Sequence, residues 1–426
     1  MRILIDGMNL ALAQGTGVAT YARNLAECVK AGGHDLSILY GKGLPPAKGA
    51  DGLERVFFSG EDIGRGDIRY HVDLARGLLP ERAKLIPDTG AVDRSSLGRS
   101  YPGADAYLNI QNLFFKAAAK FQHLGGMLEV TLPRKVDIAH WTYPVPIRVR
   151  GAKNVYTFHD LVPVRLPYLT LDLKDYYLPM LRRIARSADH VVTISETSKS
   201  DIVNALGVEA DKVSNTYQHV EVNEAQIAAT RANMNQTLAE IGAGAGQSID
   251  EKGYFLYVGA IEPKKNLRRI LDGYLTANVD APLVVVGRAA WSCEEELRVM
   301  KRSAGRIIYL DYVSYEHLLA LLLGARALVF ASLYEGFGLP VLEAFQMGAP
   351  VITADASSTR EIVGDAAVLV DPYDIRAMRD AFRGLSAPGA DNVLGDLAEK
   401  GRKRATAFSR EAVSARLEDC YARIAA

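Results

Sequence analysis

The chain has 426 residues, of which 49% are hydrophobic and 23% charged, and its 50 basic and 50 acidic side chains balance. This composition excludes disordered and collagen-like proteins, and the balanced charge argues against a nucleic-acid-binding protein. No stretch approaches the roughly 18 uninterrupted apolar residues that a membrane span needs. The length exceeds what one hydrophobic core usually organises, so we expect two domains of about 200 residues each.

The N-terminal run MRILIDGMNL predicts a β-strand rather than a signal peptide, because Asp6 interrupts a short apolar run. We therefore expect a cytoplasmic protein. The three cysteines, Cys28, Cys293 and Cys420, are far apart and have neither metal-ligand nor redox spacing, so we expect reduced thiols.

Short apolar runs alternate with longer segments of helical period, a pattern that predicts parallel α/β sheets built from βαβ units. In the first half, the predicted strands are RILIDG (2–7), DLSILYG (35–41), DIAHW (137–141), NVYTFHD (154–160) and HVVTIS (190–195). In the second half they are YFLYVG (254–259), PLVVVG (282–287), RIIYL (306–310), ALVFAS (327–332), PVITA (350–354) and AVLVD (367–371). The pattern predicts two doubly wound domains.

We predict an N-terminal domain over 1–220 and a C-terminal domain over 253–408, joined by a polar linker over 221–252. The linker holds one helix, from about 224 to 241, and a GAGAG tract. We expect 409–426 to form a helix that packs back on the first domain. The segment 45–134 fits the strand–helix rhythm poorly and is predicted to be an elaboration. Within it, 107–128 is amphipathic and predicts one core helix rather than a membrane-binding foot.

The stretch SLYEGFGLPVLEAF (332–345) combines a strand end, a glycine turn and a helix start. Pro340 suits the first turn of that helix, and Gly348 suits its end. The turn of a doubly wound sheet lies at the carboxyl edge of the strands, where ligands bind, and the start of a helix favours a phosphate. Glu335 and Glu343 are therefore predicted to accept hydrogen bonds from hydroxyl groups on opposite sides of a bound diphosphate.

The stretch EGFGLPVLEAFQMGAPVI resembles the signature of the retaining glycosyltransferases of family 4, which have the GT-B fold of two Rossmann-like domains facing across a cleft. The resemblance is strong over about 250–426 and good over 137–220 and 1–40, whereas 45–134 has no match. Similar runs occur in the expected order: GTGVATYARNL (15–25), TFHDLVP (157–163), TISETSKSDI (193–202), YVGAIEPKKNL (257–267), LVVVGRAAW (283–291) and YLDYVSYEHLLALLLGARALVF (309–330).

The resemblance implies that Glu343 binds the nucleotide ribose and that Glu335 contacts the donor sugar. It also implies that one of Lys264 and Lys265 neutralises the leaving diphosphate and that His159 lies near the anomeric centre. Relatives often supply a further cation where this chain has Ala260, which leaves open whether Arg288 replaces it. The catalytic residues are thus expected to be His159, Glu335 and Lys265.

Further donor contacts are expected from backbone amides and loop ends. The turn before a helix at Gly15 and Gly17 is expected to close on the donor phosphate, and Val313 to flank the nucleobase. The other backbone contacts to the donor are expected at Gly336, Phe337, Gly338, Leu339 and Val341. On the acceptor side the resemblance suggests Asp160, Arg165 and Ser195.

The resemblance implies a retaining hexosyltransferase that needs no divalent metal, because no Asp-x-Asp motif is apparent. The expected donor is GDP-mannose, and the expected acceptor is a glycan or lipid-linked glycan of surface polysaccharide, with peripheral contact at the inner membrane face. A UDP- or TDP-sugar-dependent transferase and a non-catalytic sugar-nucleotide-binding subunit remain alternatives. A glycoside hydrolase that uses Glu335 and Glu343 as acid and nucleophile is a third.

Overall fold

The structure is a computed structural model that describes residues 1–10, 17–43, 79–89, 102–171, 173–303 and 305–426. The predicted strands are confirmed in both halves. The described strands of the first half are β1 (Arg2–Asp6), β2 (Asp35–Tyr40), β3 (Glu81–Arg82), β4 (Lys84–Leu85), β5 (Ala106–Asn109), β6 (Leu128–Thr131), β7 (Ile138–Trp141), β8 (Ile147–Val149), β9 (Lys153–Thr157), β10 (His190–Thr193) and β11 (Val213–Asn215).

The main sheet of the first half has the order β11-β10-β9-β7-β1-β2-β5-β4. All neighbours are parallel except β4, which runs antiparallel to β5 at the edge. In β1, Ile3 pairs with Leu36 on one side and Ile138 on the other. The continuous apolar run of β1 follows from this position, because a central parallel strand is covered on both faces. A smaller parallel sheet has the order β3-β6-β8.

The helices of the first half cover these sheets. They are α1 (Gly17–Ala31), α2 (Leu113–Leu124), α3 (Val162–Arg165), α4 (Lys174–Ser187) and α5 (Glu196–Leu206). Short 3₁₀ turns occur at Pro167–Leu169 and Ala210–Lys212.

The second half forms a six-stranded parallel sheet with the order β14-β13-β12-β15-β16-β17. Its strands are β12 (Phe255–Val258), β13 (Leu283–Val286), β14 (Ile307–Leu310), β15 (Ala327–Phe330), β16 (Val351–Ala354) and β17 (Val368–Val370). In chain order this is the doubly wound arrangement 3-2-1-4-5-6, which changes direction between β12 and β15. The loops that follow these two strands therefore lie at the switch point, where such sheets bind ligands.

Most helices of the second half pack around this sheet, whereas the last one packs against the first half of the chain. They are α6 (Glu224–Ala245), α7 (Leu267–Ala277), α8 (Glu294–Arg302), α9 (Tyr315–Gly324), α10 (Leu339–Met347), α11 (Ser357–Val363), α12 (Ile375–Ser386), α13 (Asp391–Ala405) and α14 (Arg410–Ala425). Further 3₁₀ turns occur at Pro263–Lys265 and Thr406–Phe408.

Two predictions about local structure were wrong. The stretch 107–128 is not one helix: residues up to Asn109 form β5, because they pair with β2, and a left-handed Asn112 (φ 57°) precedes α2. The helix of the linker does not end near 241, because α6 continues through the GAGAG tract and ends at left-handed Gly246 (φ 69°). A Cβ on Gly242 would meet the carbonyl oxygen of Gln247 at 2.5 Å, so this glycine permits the tight return of the chain.

The last helix packs against the first half of the chain. α14 contacts α1, and Tyr421 is fully buried with its hydroxyl 2.6 Å from Nδ1 of His140. His34 on the same side pairs with Glu418. The three cysteines are buried and form no disulfide. The division into domains at 220, 253 and 408 stays a prediction, although the two large sheets lie on either side of 221–252.

Candidate functional site

The turn after β15 places Glu335 and the start of α10 at the switch point of the second sheet. Gly338 precedes the helix with φ 114°, a conformation that side-chain-bearing residues rarely adopt. Pro340 lies in the first turn and left-handed Gly348 ends the helix, which confirms the prediction for both residues. The helix therefore begins at a glycine turn, with its first N–H groups beside Glu335.

Glu335 pairs with a lysine from the neighbouring loop. Its Oε1 lies 2.6 Å from Nζ of Lys265, and their side chains are only 13% and 18% exposed. Lys265 also lies 5.2 Å from the ring centre of Phe330. Lys264 pairs with Glu262 at 3.3 Å; although burial lowers the pKa of Lys264, the carboxylates of Glu262, Glu335 and Asp160 raise it above its ordinary value. Lys264 therefore stays charged.

His159 lies in the first half, at the carboxyl end of β9, and is buried. Its Nε2 donates a hydrogen bond to the carbonyl oxygen of Thr142 (2.8 Å), and the ring of Tyr21 packs edge-on at 4.8 Å. Burial lowers the pKa of His159 to about 4, and the hydrogen bond to Thr142 opposes this shift only in part. The imidazole is therefore neutral, with Nδ1 as its acceptor atom.

Asp160 lies where the strand end at His159 meets the glycine turn that follows Glu335. Burial raises the pKa of Asp160, while its Oδ1 accepts a hydrogen bond from the backbone of Val162 at 2.9 Å. A Cβ added to Gly336 would lie 2.9 Å from Oδ2 of Asp160 and 2.9 Å from the carbonyl oxygen of His159. The structure thus brings His159 and Asp160 directly against the turn that carries Glu335, and glycine is required at Gly336 for this approach.

Glu343 faces a cleft of about 820 Å³ between the two halves. Burial raises the pKa of Glu343 to about 7. Arg288 and Val313 line the same cleft, and the guanidinium of Arg288 lies 5.2 Å from the ring centre of Tyr312. The other lining residues of this cleft are Thr20, Arg23, Asn24, Glu27, His219, Val220, Glu221, Asn223, Gln226, Tyr315, Leu318 and Arg410.

The starts of two helices approach each other beside this cleft. Gly17 begins α1, and a Cβ on it would lie 3.8 Å from Cδ1 of Leu339, which begins α10. The positive dipole ends of both helices therefore lie close together, which suits an anion. Gly15 lies outside the described residues.

The predicted acceptor-side residues have structural partners at the boundary between the halves. Arg165 donates to Asp201, whose other oxygen accepts from the hydroxyl of Tyr334 in the second half. Ser195 is fully buried and caps α5 by accepting from the backbone of Ser198 at 3.0 Å. Capping accounts for the burial of Ser195, and its acceptor role stays a prediction.

Sequence reasoning missed the polar side of α1 that lines the cleft. Thr20, Arg23, Asn24 and Glu27 have the spacing i, i+3, i+4 and i+7, which places them on one helical face. This spacing is a signal that the sequence contains. The contact of Tyr334 with Asp201 has no such signal, because it joins residues 133 positions apart.

Within the described ranges, no cluster of three or more His, Cys, Asp or Glu side chains has the arrangement of a metal site. Among the helices of the same ranges, none combines the length and the apolar composition that crossing a bilayer requires.

Two family models match most of the chain. The model of glycosyltransferase family 4 matches 15–223, and that of the group 1 glycosyl transferases matches 244–404. The chain is 33% identical to the O-antigen chain mannosyltransferase B of Escherichia coli over 237 residues, which cover 54% of this chain and 60% of that relative. It is 24% identical to the serotype-specific mannosyltransferase WbdA of E. coli, over 89% of this chain and 43% of that relative. The matches thus span less than two thirds of these relatives.

Solved structures share the architecture at low sequence identity. A sucrose-phosphate synthase from Thermosynechococcus elongatus has a TM-score of 0.63 and 18% identity over 100% of this chain and 99% of that one. HepE of Anabaena, solved with UDP and glucose, has a TM-score of 0.62 and 14% identity over 99% and 100%. These neighbours confirm the expected GT-B fold. The two family models together cover most of the chain, which therefore belongs to the group 1 and family 4 glycosyltransferases.

Proposed function

We propose that the protein is a retaining glycosyltransferase that moves a mannosyl residue from GDP-mannose to a glycan acceptor carried on a lipid during surface polysaccharide synthesis. The mannosyltransferases among its relatives support the choice of sugar. The lipid carrier would bring the protein to the inner face of the membrane as a peripheral partner.

The observation that carries the proposal is the meeting of the predicted motifs at one place. His159 and Asp160 from the first half lie against Gly336, next to the ion pair of Glu335 with Lys265. Glu343, eight positions along the chain from Glu335, lines the adjoining cleft. His159, Asp160, Glu335 and Lys265 are called the reactive cluster below. A ligand that uses both glutamates must extend from this cluster into the cleft, as a nucleotide diphosphate sugar would.

In this arrangement the donor lies along α10. Its ribose binds Glu343, its base lies near Val313 and Tyr312, and its diphosphate lies between the starts of α1 and α10. Its sugar binds Glu335 and the amides of the glycine turn. In the unliganded protein Lys265 neutralises Glu335, so the binding of the diphosphate gives Lys265 a second anionic partner.

The chemistry follows from where charge develops. As the bond between the anomeric carbon and the diphosphate breaks, negative charge grows on the leaving oxygen, and Lys264 and Lys265 stabilise it. The acceptor hydroxyl attacks from the same face and its proton passes to the leaving diphosphate, so the configuration is retained. His159 is neutral with a pKa of about 4, and it is therefore suited to orient a hydroxyl group through Nδ1 rather than to remove its proton.

The alternatives differ in what they demand of the glutamates. A glycoside hydrolase would need one of them as a protonated acid and the other as a free nucleophile, whereas Glu335 is paired with Lys265. Release of reducing sugar from a glycoside without a nucleotide would support that alternative. A non-catalytic subunit would bind a sugar nucleotide without turnover on any acceptor extract.

The test is transfer of radiolabelled mannose from GDP-mannose to a membrane extract by wild type and Glu335→Ala. We expect Glu335→Ala to lose about 10²–10³ in kcat, as for the removal of one polar group from a preorganised site. A Glu335→Ala variant that keeps full transfer contradicts the assignment of the site. A thermal-shift series with GDP, UDP, TDP and ADP sugars identifies the donor, since a ligand at 100 times its Kd adds roughly 2.7 kcal/mol of apparent stability.

A further inference from the structure

A second cavity, of about 630 Å³, lies beyond the reactive cluster. It shares no lining residue with the cleft that holds Glu343. One wall comes from the first half, through Leu169 in the 3₁₀ turn Pro167–Leu169, and the other walls come from the second half. Its lining residues are Leu169, Pro263, Asn266, Arg268, Arg269, Ser292, Glu294, Glu295, Glu296, Arg298, Leu333 and Tyr373.

The cavity wall adjoins the loop that carries Lys264 and Lys265. Asn266, on its wall, directly follows Lys265 in the chain. Leu333, on the same wall, donates its backbone N–H to the carbonyl oxygen of Lys264 at 2.9 Å. On the opposite side, the chain leads from Asp160 through α3 to Leu169. A chain-like molecule that reaches the cluster from this side would therefore pass through the cavity.

The walls of the cavity are held in place by one buried side chain. Asn266 is only 2% exposed and has a left-handed backbone (φ 61°). Its Nδ2 donates to the carbonyl oxygens of Ala331 (2.9 Å) and Pro372 (2.7 Å), and its Oδ1 accepts from Arg269 (3.0 Å). These bonds join the loops after β12, β15 and β17. The backbone next to Tyr373 is thus anchored through Pro372, which favours a preformed site.

The chemistry of the lining suits a neutral, polyhydroxylated ligand. Three arginines and three glutamates face the cavity, so their charges cancel, and they offer both donors and acceptors. A phosphorylated ligand would have to approach the glutamates at the start of α8. Tyr373 is 58% exposed, with the guanidinium of Arg269 5.3 Å from its ring centre. An exposed aromatic face beside fixed polar groups is typical of a site that binds a sugar ring.

We propose that this cavity binds the acceptor glycan, holding the sugar units that precede the one which receives the new residue, with Tyr373 as the surface on which a sugar ring stacks. This inference rests on the proposed function, because the acceptor glycan is its second substrate. It assigns the nucleotide to the cleft of Glu343 and the neutral glycan chain to the opposite side of the ion pair of Lys265 with Glu335.

The experiment measures the binding of mannose, mannobiose, mannotriose and mannotetraose to the full chain by calorimetry, with and without GDP. We expect affinity to rise about tenfold from mannose to mannotriose. Tyr373→Ala should abolish this rise and leave the Kd for GDP unchanged, whereas Tyr373→Phe, which keeps the ring, should retain it. Tyr312→Ala, in the nucleotide cleft, should weaken GDP and leave the oligosaccharide series unchanged.

Several results would overturn the inference: equal affinity along the series, no binding of any oligosaccharide, or a series that Tyr373→Ala does not alter. Displacement of mannotriose by inorganic pyrophosphate would assign the cavity to an anionic ligand and would also overturn it. Failure of the proposed function is a different result, namely that wild type binds no sugar nucleotide and that Tyr312→Ala changes nothing. The GDP and oligosaccharide titrations therefore separate the two.

Discussion

Glu343 shows how a single residue can reduce stability where a ligand is expected. Its carboxyl group has a pKa raised to about 7 by burial alone, from an ordinary value of 4.5. Among the described residues no opposite charge contributes to that shift, so the ionised form is disfavoured until a ligand supplies hydrogen-bond donors. Perturbed carboxylates in a cleft are candidates for function, and the position of Glu343 on the cleft wall agrees with that expectation.

Replacement of this carboxyl group should therefore stabilise the unliganded protein at high pH. Because the folded pKa of Glu343 lies above the unfolded value, wild type loses stability as pH rises from about 4.5 to about 7, by about 3 kcal/mol in total. Glu343→Gln does not titrate, so its melting temperature should exceed that of wild type near pH 8 and approach it near pH 5.

The control for this measurement is Glu399→Gln, on the exposed side of α13, which should match wild type at both pH values. A difference between Glu343→Gln and wild type that does not change with pH would contradict the burial of an ionisable Glu343. The same variant should bind GDP weakly, because an amide accepts hydrogen bonds from ribose less strongly than a carboxylate does.

Lys265 is the cation that lies nearest to Glu335. Lys265→Ala should lower kcat about 10²–10³-fold, since it removes stabilisation of the charge that develops on the leaving group. The Kd for GDP should change much less, as Lys264 and the helix starts still face the diphosphate. Steady-state kinetics with GDP-mannose check this, with the exposed Lys400→Ala as a control of unchanged kcat. Equal losses of kcat in Lys265→Ala and Lys400→Ala would show that Lys265 has no special role.

The turn between β15 and α10 depends on the absence of one side chain. A methyl group on Gly336 would overlap Asp160 and the backbone of His159 at 2.9 Å. Gly336→Ala should push His159 and Asp160 away from the turn that carries Glu335. It should lower kcat by at least about tenfold, at a cost in stability of about 1–3 kcal/mol. Transfer assays and thermal unfolding measure both effects.

Gly244→Ala in α6 is the matched control, because an added Cβ there meets nothing within 4 Å. It should leave transfer unchanged and stabilise the helix slightly, since alanine has the higher helix propensity. If Gly336→Ala behaves like this control, the close approach of His159 to the turn plays no part in activity.

Local sequence patterns predicted some strands correctly and missed others, for physical reasons. Five strands of the first large sheet and all six of the second were predicted because each is a short apolar run, whereas β4 and β11 of the first sheet were missed. The pairs β3 with β6 and β6 with β8 were missed because they join residues distant in the chain. β5 was mistaken for part of a helix because an amphipathic run fits either structure until pairing with β2 decides.

A series of buried contacts links the C-terminal helix α14 to His159 in the first half of the chain. The hydroxyl of Tyr421 contacts His140, whose Nε2 lies 2.8 Å from Oγ1 of Thr157. Thr157 in turn contacts the hydroxyl of Tyr21 at 2.9 Å, and the ring of Tyr21 packs on His159. This continuous buried series of contacts means that α14 supports the wall on which His159 lies.

Tyr421→Phe should therefore destabilise the protein by about 1–3 kcal/mol, because it leaves a buried nitrogen of His140 without its partner. Chemical denaturation measures the loss. Tyr168→Phe serves as the control. Because Tyr168 is 93% exposed, the loss of its hydroxyl leaves no buried group without a partner. Equal stabilities of the two variants would show that the contact of Tyr421 with His140 contributes nothing.

The family and the strand–helix alternation could be predicted from the chain, as could several residues that the structure brings together, because glycine turns, helix starts and short apolar runs are local in sequence. Local patterns cannot show which distant groups meet. The pairing of Lys265 with Glu335, the neutral state of His159 and the raised pKa of Glu343 all arise from burial and from contacts between separate elements. The same holds for the cavity beside Tyr373, since its walls come from loops that only folding brings together.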